Sequence, residues 1–327
     1  MSHAIVTPEQ MYAAEQRVFD AGTPSFDVMR VAGEAVADRL HEAFPAGRIR
    51  VLCGPGGNGG DGFIAAHRLR ELGRDVDVYL LGSPDKLKGD SARACSLWNG
   101  PVHGLDDAVG MAADITLDAL FGGGLSRPLK GAAASLAEEP GTVVSVDVPS
   151  GIDGLTAKPI GPCFTADLTV TFAAFRPAHV LSPGRGHCGK VHVEDIGVPV
   201  SQQVRINHPS IWLDDEKASD TGPGASAPEM RFYGEDAFDQ TFPGNMQDAD
   251  NRIDAVMRAA KVAGGLIVLA AKETLIAEPD GRCVVDLSLT GGSVSKTSFR
   301  TAFQEAMLTG LPPFEAACKA AQASLRS

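Results

Sequence analysis

Between Val51 and Gly62 the chain reads VLCGPGGNGGDG, which sets six glycines, one amide and one carboxylate between a strand and a helix. The strand is expected over Arg48–Cys53 from its β-branched residues. The helix is expected over Phe63–Gly73 from apolar residues at helical spacing. Glycine lets backbone N–H groups turn toward a ligand. The first N–H groups of a helix lack internal partners and lie at the positive end of its dipole, so a loop of this kind attracts phosphate or another anion. The alternative is a tight turn with no ligand, but so many glycines weaken a fold that makes no use of them.

The loop is not a P-loop, which needs Gly-Lys-Ser/Thr, nor a clean Gly-x-Gly-x-x-Gly with an acid closing the next strand, although Asp75 and Asp77 do follow the helix. Asp61 is out of place for plain pyrophosphate binding. A carboxylate there repels the ligand unless a cation or hydroxyl lies beside it.

The 327 residues suffice for one large or two modest domains. With 29 Lys plus Arg against 41 Asp plus Glu, the net charge of −12 argues against nucleic acid or an anionic membrane as partner. Six cysteines are scattered without Cys-x-x-Cys or Cys/His ligand spacing, against both a zinc site and a disulfide framework. The N-terminus has no basic region followed by an apolar core, and no apolar run reaches membrane-spanning length, so the expected location is the cytoplasm.

Thr7-Pro8-Glu9-Gln10 is a helix-start signature, and a second helix is expected from about Phe26 to Ala43; both precede the first strand. After the glycine loop, strand and helix signals alternate: Val76–Leu81, Ser91–Trp98, Ile115–Leu120, Ala132–Glu139 and Val143–Val148. Alternation of this kind predicts an α/β fold with a mostly parallel sheet covered on both faces, and ligands beyond the carboxyl ends of the strands. Three strand ends then stand out. One carries Asn58 and Asp61, the next Asp118 before a second glycine turn, and the third Asp147 before Pro149-Ser150-Gly151. A lone aspartate is most often a helix cap, whereas carboxylates gathered at strand ends are costly unless they bind a cation, pair, or handle protons. Oxygen groups at Asn58, Asp118 and Ser150, with glycine loops and Asp147, suggest a nucleotide beside a hard cation. The modest charge suits potassium better than magnesium.

These motifs, GPGGNGGDG at Gly54–Gly62, DALFG at Asp118–Gly122 with LSRPL at Leu125–Leu129, VDVPSG at Val146–Gly151, and PGR through CGKVHVEDIG at Pro183–Gly197, resemble in order the NAD(P)H-hydrate epimerase family, the YjeF N-terminal domain, over roughly Thr7 to Pro199. The resemblance implies a Rossmann-like three-layer sandwich, often a homodimer, that interconverts the R and S epimers of hydrated NADH and NADPH with potassium bound. It implies that Gly57, Asn58, Gly59, Gly60 and Asp61, together with Gly122, Gly123, Gly124, Leu125, Ser126, Arg127 and Pro128, line the substrate. It further implies that Asp147 meets the reacting ring, and that Asn58, Asp118 and Ser150 hold the potassium ion. Gly57 stands where the family has a first asparagine, and Arg30 where an acid is common. In the expected chemistry the ring nitrogen expels a protonated hydroxyl and water re-enters the planar cation from either face, with Asp147 giving and taking back the proton and stabilising the positive intermediate; ring opening to an aldehyde is an alternative. His67, His179, His187 and His192 lack ligand or triad spacing and are expected in bland roles. Arg185 and Lys190 are candidates for phosphate contact or plain solvation.

Beyond Val200 the character changes. Residues 201–230 read as a linker, least ordered at Thr221–Pro228. A helix is expected over Asp248–Ala263, strands over Leu266–Leu269 and Thr274–Ala277, and closing helices over Phe303–Met307 and Pro313–Leu325. Residues 231–327 resemble the end of the ribokinase-like ADP- or ATP-dependent NAD(P)H-hydrate dehydratase domain, as a truncated α/β remnant. Ala270 and Ala271 replace Lys-Gly, and Val294 and Ser295 replace Gly-Asp, so the expectation is an epimerase domain (1–200) followed by a region without dehydratase activity. A bifunctional repair enzyme with residual dehydratase activity and a non-catalytic nucleotide-binding module are the alternatives.

Overall fold

A computed structural model describes residues 4–207, 230–244, 249–287 and 296–323, and the chain separates into two compact units, the first residues 6–200 and the second residues 201–327, which also includes Ala4 and Ile5.

The first unit opens with α1 (Pro8–Asp20), started by the expected capping box: the Gln10 amide donates to the Thr7 hydroxyl and the Thr7 amide to the Gln10 side chain. Helix α2 (Ser25–Ala43) buries Phe26, Val28, Ala32, Val36 and Leu40 on one face. There follow β1 (Ile49–Cys53), α3 (Gly57–Glu71), β2 (Val76–Leu80), α4 (Gly89–Leu97), β3 (Val102–Gly104), β4 (Ile115–Ala119), α5 (Ala132–Ala137), β5 (Thr142–Val146), β6 (Leu168–Phe172), α6 (Pro177–Val180) and β7 (Lys190–Glu194). The seven strands pair in the order β3-β2-β1-β4-β5-β6-β7, every pair parallel. The expected mostly parallel α/β sheet is therefore present. The order reverses direction between β1 and β4, and a crevice opens at such a switch point because the two connections leave toward opposite faces. Strands β1, β4 and β6 are buried along their whole length, as a sheet covered on both faces requires.

One boundary differs from the sequence expectation in a way that matters. Helix α3 begins at Gly57, six residues before Phe63, so Asn58 and Asp61 sit in its first turns rather than on a free loop. Glycine is a poor helix former, and its low propensity masked the start; packing overrides it. A Cβ on Gly59 would lie 1.8 Å from the Gly54 carbonyl oxygen, and one on Gly62 would lie 2.6 Å from the Ala119 Cβ. These two glycines serve close approach of α3 to the β1 and β4 ends.

The second unit holds β8 (Val204–Asn207), β9 (Met230–Gly234), α7 (Glu235–Thr241), α8 (Arg252–Ala263), β10 (Leu266–Ala270), β11 (Thr274–Ala277), β12 (Cys283–Asp286), α9 (Lys296–Leu308) and α10 (Pro313–Ala323). Its sheet order is β8-β12-β11-β10-β9, with β10-β11 and β11-β12 antiparallel and the outer pairs parallel. Part of the stretch read as linker thus forms a strand, β8, against which Ala4 bridges. Residues 208–229 lie outside the described residues, including Thr221–Pro228, as do Thr290–Ser295. The core gathers Leu266, Val268, Ile276, Phe299 and Phe314. Among the described residues no helix is long and apolar enough to cross a membrane.

Candidate functional site

In the first unit, the ends of β1, β4, β5 and β6 converge on a cavity of about 330 Å³. Gly57, Asn58 and Asp61 from the start of α3, Gly122, Gly123 and Gly124 after β4, and Asp147 after β5 line it. One wall comes from α1, through Pro8, Met11, Tyr12 and Glu15, and another from Phe172 and Arg176 at the end of β6.

Asp147 is the most constrained of these groups. Its φ of 62° is the left-handed conformation that a non-glycine residue rarely adopts, so the surroundings must hold it. The carboxylate accepts from the Gly123 amide at 2.8 Å on one oxygen and from the Thr171 hydroxyl at 3.0 Å on the other, which also lies 3.3 Å from the Arg176 guanidinium. Burial pushes the carboxyl up, but Arg176, the Gly123 amide, His179 and Thr171 together outweigh it, and Asp147 ionises below the ordinary carboxylate range. Its backbone is pinned by His179, whose Nε2 donates to the Asp147 carbonyl at 2.7 Å while Nδ1 accepts from the Arg176 amide at 2.9 Å. Those roles require a neutral imidazole, and burial lowers the His179 pKa to about 4.

Behind the cavity lies Asp118, fully buried. One of its oxygens accepts from the Ser150 hydroxyl at 2.6 Å and the Leu120 amide at 3.3 Å, the other from the Ser150 amide at 2.8 Å and the Ser145 hydroxyl at 3.0 Å. The Ser150 hydroxyl in turn accepts from the Phe121 amide at 3.0 Å. This lattice ties the β4 glycine turn to the β5 turn. Burial raises the Asp118 pKa to about 6 against those four hydrogen bonds. The Asn58 amide nitrogen is buried without a partner among the described residues. A Cβ on Gly122 would lie 2.7 Å from an Asp147 carboxylate oxygen and 3.2 Å from the Asn58 amide oxygen, so a glycine there is what lets the two side chains share one space.

The residues singled out from sequence therefore divide. Gly57, Asn58, Asp61, Gly122, Gly123, Gly124 and Asp147 border the cavity; Asp118 and Ser150 form its buried support; Gly59 and Gly60 are buried. Leu125, Arg127 and Pro128 line a second cavity of about 360 Å³ with Phe121, Leu81 and Lys130, and Ser126 borders neither. Arg185 and Lys190 line neither cavity. The sequence reading missed Glu15, Tyr12, Phe172, Thr171 and Arg176, and it assigned His179 no link to Asp147. The alternation Leu168-Thr-Val-Thr-Phe172 was the available signal, because a strand there puts Arg176 at the same sheet edge as Asp147.

Glu15 and Asp61 complete the electrostatics. Burial raises the Glu15 pKa, opposed by Arg176 and reinforced by Asp147. Recess from water pushes Asp61 well above the usual carboxylate range, and the negative charges of Asp147 and Glu15 push it further.

A parallel sheet with its crevice at the switch point, floored by an ionised aspartate and glycine turns, defines a Rossmann-like small-molecule-binding domain. Residues 25–178 match the family described as YjeF-related protein N-terminus. The chain is 36% identical over 204 residues to an NAD(P)H-hydrate epimerase of Limosilactobacillus fermentum, covering 60% of this chain and 98% of that one. It is 33% identical over 220 residues to a bifunctional NAD(P)H-hydrate repair enzyme Nnr of Methanothermobacter thermautotrophicus, covering 61% of this chain but only 41% of the relative. A crystal structure of yeast ynu0, YNL200c, is similar at 22% identity and a TM-score of 0.49, over 58% of this chain and 87% of that one. The protein belongs to the YjeF N-terminal, NAD(P)H-hydrate epimerase family.

Proposed function

We propose that this protein is an NAD(P)H-hydrate epimerase, acting on hydrated NADH and NADPH at the hydroxylated ring carbon. The observation that carries the reading is Asp147, a carboxylate held ionised at the floor of the cavity in a strained backbone conformation. Strain of this kind is kept where the surrounding structure and the chemistry need a fixed side-chain position. The ring nitrogen's lone pair expels the hydroxyl as water, leaving a planar cation that water re-enters from either face, and no C–H bond breaks. An ionised Asp147 stabilises that cation through charge.

Asn58, Asp118 and Ser150 are the groups that would hold potassium. Their chemistry fits: one carboxylate with neutral oxygens suits a hard, singly charged ion, and the buried end of the Asn58 amide, without a partner among the described residues, would offer an unused oxygen when the amide is turned oxygen-inward. Potassium would supply fixed positive charge beneath the two glycine turns. Gly57 to Asp61 and Gly122 to Pro128 are assigned to the dinucleotide, with the second cavity available to its non-reacting part.

The second unit is assigned no dehydratase activity. Ala270 and Ala271, at the end of β10, offer a nucleotide no functional group. Six free cysteines suit a reducing cytoplasm. Pairing as a homodimer rests on the family resemblance and is read by sedimentation.

Mixing the R epimer with the protein should produce the S epimer faster than buffer alone, and Asp147→Asn should abolish that gain while leaving the unfolding midpoint within a few degrees. A wild-type rate equal to the buffer rate would end the epimerase reading. Incubating the S epimer with ADP or ATP should return no NADH; nucleotide-dependent return would restore the dehydratase.

A further inference from the structure

Expelling hydroxide from the hydrated ring is slow unless a proton reaches the oxygen, and Asp147 is built to stay charged. The cavity holds another carboxyl with the opposite environment. Asp61 projects from the first turns of α3 into the same cavity as Asp147, and no hydrogen bond reaches its carboxyl from the described residues. Asp147, by contrast, is bonded on both oxygens. Three carboxyls share the site: Asp147, satisfied by donors and a guanidinium, and Asp61 and Glu15, which no hydrogen bond from the described residues reaches; Asp61 is the one carried by the glycine-rich start of α3 beside Asn58, and it divides with Asp147 into a protonated and a charged partner.

We propose, building on the epimerase reading, that Asp61 is a second catalytic residue: the acid that protonates the departing hydroxyl of the hydrated ring, with Asp147 facing the cation that results. In the forward step the Asp61 proton goes to the hydroxyl oxygen and the carbon–oxygen bond breaks. The nitrogen lone pair forms the carbon–nitrogen double bond, and water leaves. In the return step a water oxygen bonds to the ring carbon and its proton goes back to Asp61. No oxidant, reductant or further reactant enters, and the ring ends with the electrons it began with. The charged groups that line the cavity with Asp61 are Glu15 from α1, Asp147 after β5 and Arg176 after β6, of which Asp147 and Glu15 act on it electrostatically. Asp147 and Glu15 favour the protonated form of Asp61.

The same geometry explains a feature that stood against a simple pyrophosphate loop. A carboxylate at Asp61 repels a phosphate, whereas a carboxylic acid there neither repels it nor wastes the glycine-lined approach.

The test compares wild type, Asp61→Asn and Asp61→Glu in the epimerisation assay across pH, with the uncatalysed rate subtracted. Because the acid must be protonated to act, wild-type kcat should fall as pH rises through the Asp61 ionisation. Asp61→Asn should lower kcat at least about 100-fold with KM little changed, and its remaining activity should lack that alkaline fall. Asp61→Glu should recover part of the rate and the fall with it. Asp61→Asn within a few-fold of wild type, or with the same alkaline fall, would overturn the assignment while leaving the epimerase reading intact. Loss of activity with a large drop in unfolding midpoint in Asp61→Asn, and no recovery in a folded Asp61→Glu, would likewise reject Asp61 as the acid. An inactive wild type would remove both.

Discussion

The two units of the chain both partner their buried charges, as Asp118 and Asp147 show in the first, but they differ in where their unmatched polar groups lie. In the second unit, Glu273 is almost fully buried and is paired with Arg252, which also reaches Glu235; Arg282 gathers Glu278, Asp280 and Glu315 and lies over the Phe314 ring. Apart from the Thr274 hydroxyl and one oxygen of Glu315, its described buried side-chain polar atoms find partners. In the first unit the sheet end carries the half-buried Asp61, whose carboxyl no hydrogen bond from the described residues reaches, and Asn58, whose buried nitrogen has no partner among the described residues. A buried polar group left unmatched costs about 1 to 3 kcal/mol, and Asn58, unlike Thr274 and Glu315, borders a cavity in which a ligand can complete the set. Paired charges of the second unit need no ligand to explain them.

Glycine gives the sharpest way to break this contrast, with the largest expected effect in the first unit. At Gly59 the obstacle is another stretch of backbone: a Cβ would meet the Gly54 carbonyl oxygen, which belongs to the turn closing β1 onto β4 through the Gly54 amide and the Ala119 carbonyl. Gly59→Ala should destabilise by about 3 kcal/mol or more, because the clash can be relieved only by moving α3 off the sheet. Thermal denaturation reads this as a midpoint lower by about 10 °C. A fall of a degree or two would mean that the α3 start is loose and that the glycines serve the ligand rather than the packing.

The next effect depends on pH and belongs to His179. Its folded pKa of about 4 lies below the roughly 6.5 of an unfolded histidine, so between those values the unfolded chain binds the extra proton. The stability from burying neutral His179 is therefore complete above about pH 6.5 and is lost progressively as pH falls toward 4, amounting to about 3 kcal/mol over the window. Denaturant titrations of His179→Gln should give a flatter stability curve than wild type across that interval. Equal slopes would show that the imidazole does not stay neutral against the Asp147 carbonyl.

Much of this site was legible in sequence, and the reasons for the gaps are specific. The strand ends carrying Asn58, Asp118 and Asp147 were found because β-branched runs before glycine and aspartate read clearly, and the parallel sheet does bring those ends together. Asp118 was read as a strand-end cation ligand alongside Asn58 and Ser150; that its four hydrogen bonds come from Ser145, Leu120 and both donors of Ser150 depends on sheet register, which no local spacing encodes. Arg176 and Glu15 escaped for the same reason. They lie 29 residues after Asp147 and far before it, and only the β5-β6 pairing and the packing of α1 carry them to the cavity. The start of α3 was hidden because glycine argues against helix in every local scale, whereas the fold selects it for close approach.

The smallest effect comes from the second unit and isolates conformation from packing. Gly264 closes α8 with φ of 63°, and a Cβ built there meets nothing within 4 Å. Gly264→Ala should therefore cost only the left-handed backbone penalty, about 1 kcal/mol, with no steric term. Asparagine tolerates the left-handed conformation better than alanine, so Gly264→Asn should recover part of that loss. Measured side by side with Gly59→Ala, the pair separates two uses of one residue type: a rescue by asparagine at Gly264 identifies a conformational role, and the same side chain at Gly59 should be worse than alanine, since a larger group meets the same carbonyl. If asparagine failed to improve on alanine at Gly264, the α8 terminus would owe its shape to contacts beyond the backbone dihedral, and the contrast between the units would lose its simplest control.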